Sequence, residues 1–213
     1  MIKLYSKRFI VLVMVVLVMA TLFTGCSNQT ENENSETINE SQNPRVQIEM
    51  EDGSKMVLEL YPEFAPKTVE NFLNLSKAGF YKGLKFHRIM EDFMIQGGDP
   101  NGDGTGGSDE NIEGEFSENG FSQNTLKHVK GVISMARSAD YNSASSQFFI
   151  MHGDGSFLDG KYAAFGKLIE GEETLDKLAQ TPVDKNPHTG ELSVPKEDVV
   201  IKEIIVLDNG ENK

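Results

Sequence analysis

The chain has 213 residues, with 33 Asp and Glu against 20 Lys and Arg and a net charge of −13 at pH 7. That balance speaks against nucleic acid as a partner, whose phosphates call for clustered cations, and against a polybasic lipid-binding surface. The single cysteine excludes an intramolecular disulfide and any all-cysteine metal site.

At the N-terminus Lys3, Lys7 and Arg8 precede an unbroken apolar run over residues 9–20, the order of a secretory signal peptide. The run is shorter than the roughly 20 residues that span a bilayer. It closes on Phe23-Thr24-Gly25-Cys26. Small residues before a lone cysteine resemble the bacterial lipobox, in which the cysteine becomes the lipidated N-terminus, although Phe23 departs from the usual leucine. The expectation is a signal peptide over 1–25, lipid on Cys26 and an extracytoplasmic protein anchored to the bacterial cell membrane. An uncleaved anchor helix is the alternative. Cleavage removes three positive and no negative charges, leaving a net charge of −16. Residues 27–43 hold four glutamates and one strongly apolar residue, Ile38. Such composition cannot offset the entropy of ordering, so 26–44 reads as a disordered tether.

One domain is expected over 45–208, followed by a short tail over 209–213. Val46, Ile48 and Met50 alternate with polar residues up to Asp52-Gly53, and residues 57–60 follow, the pattern of a β-hairpin. Ala65-Pro66 opens a helix with proline in its first turn. Val69, Phe72, Leu73 and Ser76 share one face of it, and Gly79 stops it. Short apolar runs at 85–89, 93–96, 131–136, 147–151 and 163–168 read as strands. A second helix is expected over 172–180, before Pro182, and a closing strand over 199–207. Many short strands with two helices suggest a mainly β fold, a closed antiparallel barrel capped by two α-helices.

Three segments carry more than pattern. Phe86-His87-Arg88-Ile89 leads to Phe93-Met94-Ile95-Gln96-Gly97-Gly98-Asp99. Ser146-Gln147-Phe148-Phe149-Ile150 follows, and then Leu158-Asp159-Gly160-Lys161-Tyr162 with Phe165-Gly166. In this order and at these separations they resemble the cyclophilin family of peptidyl-prolyl isomerases, over nearly all of the domain. The resemblance implies an eight-stranded antiparallel barrel with a substrate groove on its outer face. It also implies that Arg88 is the catalytic residue and that Phe93, Met94, Phe149 and Leu158 line the proline pocket. Gln96 and Gln147 would hold the peptide backbone and the arginine, Ala136 would form the groove wall, and His87 would line the groove. Arg137 stands where an asparagine often contacts substrate backbone. Phe157 replaces a tryptophan whose indole helps bind cyclosporin, and Tyr162 replaces a histidine at the pocket edge. No cofactor is required, and His128, His152 and His188 lack metal-ligand spacing, so no metal is expected.

Residues 99–110, DPNGDGTGGSDE, also match the calcium-loop pattern and, within it, a G-x-G-x-x-G spacing. A sensing hand needs a flanking helix on each side, and a phosphate cradle needs a helix starting in the glycines. The stretch is therefore expected to be a Gly/Asp loop, with weak calcium binding left open. Two function classes follow. One is a monomeric enzyme that isomerises X–Pro bonds in proline-containing segments of secreted or surface proteins. The other is a peptide-binding chaperone or scaffold with incidental turnover.

Overall fold

The computed structural model describes residues 43–207. The expected signal peptide, Cys26, nearly all of the 26–44 tether and the C-terminal tail lie outside those residues. Strands β1 (Arg45–Met50) and β2 (Lys55–Leu60) form the expected hairpin. Its turn works because Gly53 takes φ +83° and Asp52 Oδ1 accepts the Ser54 N–H at 2.9 Å. Val46, Ile48 and Met50 are buried.

Helix α1 (Pro66–Lys77) begins at Pro66 and ends in a Schellman motif at Gly79, φ +72°. Phe80 N–H bonds Leu75 O and Gly79 N–H bonds Ser76 O, both at 3.0 Å. Its N-cap, Ala65, supplies no side-chain acceptor. The buried carboxylate of Glu115 takes that place, accepting the N–H of Lys67 at 3.0 Å and of Thr68 at 2.8 Å. Its negative charge also suits the positive end of the helix.

The remaining strands are β3 (Arg88–Met90), β4 (Met94–Gly97), β5 (Val132–Met135), β6 (Phe148–Met151), β7 (Ala164–Glu170) and β10 (Ile201–Leu207). With the first hairpin they form one eight-stranded sheet in the order β10-β1-β2-β7-β5-β6-β4-β3, every pair antiparallel. Helix α2 (Glu172–Ala179) follows β7. A separate hairpin, β8 (Val183–Lys185) with β9 (Leu192–Pro195), stands outside this sheet and was not expected from the sequence.

The closed barrel is corrected. The sheet is an open half-barrel whose ladder stops at β3 on one side and β10 on the other. Across the gap run single backbone bonds, Gly83 N–H to Ile201 O and Ile201 N–H to Leu84 O at 2.8 Å, with an isolated bridge at Lys85 and Val200. Gly79 and Gly83 both hold positive φ, and the turns around them keep 79–84 from running as a strand. β3 starts at Arg88, and residue 85 makes only isolated bridges, to Asp99 and Val200.

Alternation sends successive side chains to opposite faces of the sheet. Ile95, Ile133, Phe148, Ile150 and Phe165 enter the main core with Phe72 of α1 and Leu175 of α2. Phe72 stands 5.2 to 5.4 Å, ring to ring, from Tyr81, Phe148 and Phe165. Each such ring contributes about 1.5–3 kcal/mol through burial alone. The intervening residues Met94, Val132, Phe149, Met151 and Ala164 form a second apolar cluster on the other face, joined by Leu158. One set of strands thus builds the core and, by the same period of two, an apolar floor outside it.

Candidate active site

Phe93, Ala136 and Tyr162 pack around that outer cluster of Met94, Phe149 and Leu158. The short 3₁₀ turn Ser156–Leu158 turns Leu158 inward and leaves Phe157 60 % exposed. Phe157 stacks on Phe93 at 5.6 Å, and Tyr162 meets Phe149 edge-on at 5.9 Å. The result is an aromatic-rimmed apolar recess.

Arg88 stands at its edge. Its Cζ lies 5.9 Å from the Phe93 ring centroid, and Nη1 reaches Met94 Sδ at 3.6 Å. The arginine is heavily constrained. Nη1 donates to Gln96 Oε1 at 3.2 Å, and Nε and Nη2 donate to the two carboxylate oxygens of Glu191 at 2.6 and 2.7 Å. Those bonds from Arg88 hold the Glu191 carboxyl below the ordinary carboxylate range. Gln96 Nε2 in turn donates to Gln147 Oε1 at 2.9 Å. Gln147 Nε2 then donates to the carbonyls of Gly104 and Gly106 at 3.1 and 2.7 Å. A continuous relay therefore runs from Arg88 into the glycine-rich loop.

That close packing needs Gly98. At φ +83°, a Cβ there would lie 2.4 Å from Ser146 O. The loop beyond it is tied to itself: Asp99 Oδ1 accepts Asn101 N–H, and Oδ2 accepts the N–H groups of Asp103 and Gly104. Both carboxylate oxygens of the first calcium-loop position are thus occupied by backbone, and a strand, β4, leads in where a hand would have a helix. Between this loop and residues 136–138 lies a groove of about 330 Å³. Gln96, Ala136 and Gln147 are shared between its wall and the arginine relay or the recess, and Arg137 also lines it.

A scan of protein families matches residues 45–206 to "Cyclophilin type peptidyl-prolyl cis-trans isomerase/CLD". The chain belongs to the cyclophilin-type peptidyl-prolyl cis-trans isomerase family. The isomerase-like 3 protein of Rattus norvegicus is 43% identical over 152 residues, 71% of this chain and 89% of that one. A protein of Staphylococcus haemolyticus described as a putative isomerase is 39% identical over 181 residues, 72% of this chain and 86% of its own. The isomerase-like 2 protein of Gibberella zeae is far longer, and the match spans 25% of it. A crystal structure of a Cryptosporidium parvum cyclophilin-type isomerase superimposes with TM-score 0.69 and 36% identity, covering 79% of this chain and 99% of that one. The chain is accordingly a peptidyl-prolyl cis-trans isomerase.

In this isomerase His87 is part-buried beside the glycine-rich loop. Both its ring nitrogens are buried without a partner, and Nε2 lies 3.8 Å from where a Cβ on Gly104 would be. Burial pushes its pKa below the ordinary histidine value. Arg137 lines the groove but turns its donors to backbone: Nε and Nη2 to Lys161 O, and Nη1 to Ser138 O. Its guanidinium also sits 4.6 to 5.1 Å from the rings of Tyr162, Tyr141 and Phe116. Three of its five N–H groups are thus taken up by backbone.

Sequence reading missed two further sets. Glu191, 103 residues from Arg88, carries no local signal. Asp159, His128 and Ser134 form a chain of 3.0 Å contacts in acid–base–hydroxyl order. Ser134 is fully buried, which removes it as a nucleophile. His128 instead stacks behind Phe149 at 6.0 Å and backs the recess.

Proposed function

We propose that this isomerase accelerates rotation about X–Pro bonds in segments of extracytoplasmic proteins, as a monomeric folding catalyst held at the membrane by lipid on Cys26. In this reading Arg88 is the catalytic residue. The barrier to rotation, ~18–20 kcal/mol, comes from amide resonance. In the twisted transition state the prolyl nitrogen becomes pyramidal and gains a localised lone pair. A fixed positive donor there stabilises the transition state more than the planar ground state, which is the condition for catalysis. A barrier lowered by ~5 kcal/mol would raise the rate nearly four decades. No bond breaks and no proton moves.

The observation that carries the reading is Arg88 Nη1 at the edge of the apolar recess, 3.6 Å from Met94 Sδ. The proline ring would occupy the recess formed by Phe93, Met94, Phe149 and Leu158. Gln96, Gln147 and Ala136 border it and would meet the peptide main chain. Phe157 and Tyr162 would close its rim. The lipid anchor rests on the basic flank, the apolar run and the Gly25-Cys26 junction. Mass spectrometry of the mature N-terminus tests it, with a diacylglyceryl mass on Cys26 expected and an intact residue 1 contradicting it. A protease-coupled assay on a proline tetrapeptide tests the catalysis. Equal, near-background rates from wild type and Arg88→Ala would leave only a peptide-binding module.

A further inference from the structure

Arg88 has five N–H groups, and their partners divide sharply. Two go to the Glu191 carboxylate and one to Gln96. The other contacts are to thioether sulfurs, Nη1 to Met94 Sδ at 3.6 Å and Nη2 to Met90 Sδ at 3.4 Å. Sulfur is a weak acceptor, so these donors can turn to a substrate amide at little cost. The one on Nη1 already faces the recess. Glu191 engages the Nε–Nη2 edge, leaving that tip uncovered. It reaches Arg88 from the β8–β9 hairpin, where Asn186 N–H holds the Glu191 carbonyl at 2.7 Å.

We propose that Glu191 is a positioning residue for isomerisation: its two-point grip fixes the guanidinium so that Nη1 points at the prolyl nitrogen. The inference rests on the assignment of Arg88 as the catalytic donor. A long arginine side chain otherwise samples many rotamers, and a planar fork matched to a carboxylate removes that freedom before substrate arrives. A brake would have to sit on the recess-facing tip and compete with substrate, and Glu191 sits on the other edge. Its negative charge offsets part of the field of Arg88. That charge lies farther from the recess than the guanidinium tip, so the net field there stays positive.

The test measures kcat and KM for Glu191→Ala and Glu191→Gln, each alone and with Arg88→Ala, by exchange NMR on an Ala-Pro peptide. The expected result is a kcat lower by about tenfold in Glu191→Ala with KM within about twofold. Glu191→Gln, which keeps one acceptor, should fall between that variant and wild type. Adding Glu191→Ala to Arg88→Ala should change nothing further, because no guanidinium is left to position. Wild-type or raised kcat in Glu191→Ala overturns the inference, as does an equal loss in the Arg88→Ala background. If Arg88→Ala itself retains wild-type kcat, the reading of Arg88 falls first and this inference falls with it.

Discussion

Arg88 and Gln96 are direct partners in the β3–β4 ladder, and Gln96 Oε1 accepts the Arg88 Nη1 hydrogen at 3.2 Å. Because Gln96 also donates to Gln147, it links the arginine to the loop at Gly104 and Gly106. Gln96→Leu keeps the shape and removes both bonds. Bonds to charged groups contribute about 1.5–3 kcal/mol, so kcat/KM should drop roughly ten- to hundredfold. The isomerase assay checks this; unchanged turnover would mean the relay is idle.

Much of this was legible because it is local. Alternation at Val46, Ile48 and Met50, and Pro66 and Gly79 around α1, follow from short-range signals. The rest depends on long-range meetings. The β8–β9 hairpin has strands of three and four residues with Asp184 and Pro195 inside them, too short and too polar to show periodicity. Glu191 was missed with it. The Arg137 donors meet Lys161 O, and its guanidinium the rings of Phe116 and Tyr162, which no local window contains. The sheet stays open because two glycine turns interrupt its run toward β10, a feature that strand counting passes over.

Glu115 shows the same dependence and makes a stability prediction. It caps α1 from 47 residues away and is 1 % exposed. Glu115→Ala leaves the N–H groups of Lys67 and Thr68 and the Thr68 hydroxyl without their acceptor. A loss of about 2–3 kcal/mol is expected, lowering Tm by roughly 5–10 °C at this chain length. Thermal melting followed by circular dichroism checks it, and a melt identical to wild type would refute the capping role.

Stability should also fall in mild acid. Burial lowers the pKa of both His87 and His128 below the ordinary 6.5. Between 6.5 and those lowered values the unfolded chain binds more protons than the folded one, so stability rises with pH in that window. It is complete above 6.5 and is lost as pH falls toward the folded values. Tm should drop by several degrees between pH 7.5 and 5.5, and His128→Gln should flatten the slope. A Tm independent of pH over that range would contradict the assignment.

Phe157 is exposed and stacked on Phe93 but carries no N–H. Phe157→Trp supplies the indole donor at the recess rim. One hydrogen bond contributes about 0.5–1.5 kcal/mol, so cyclosporin should bind roughly three- to tenfold tighter. Turnover of a proline peptide should stay near wild type. Titration calorimetry gives the affinity, and no gain would place the inhibitor contact elsewhere.

In the proposed mechanism a preorganised guanidinium beside an apolar recess lowers the rotational barrier. Exchange NMR on an Ala-Pro peptide, with wild type and Arg88→Ala side by side at matched peptide saturation, tests it most directly. Exchange should slow at least about a hundredfold in Arg88→Ala while the peptide Kd changes by less than about threefold. Equal exchange rates in the two proteins would contradict it.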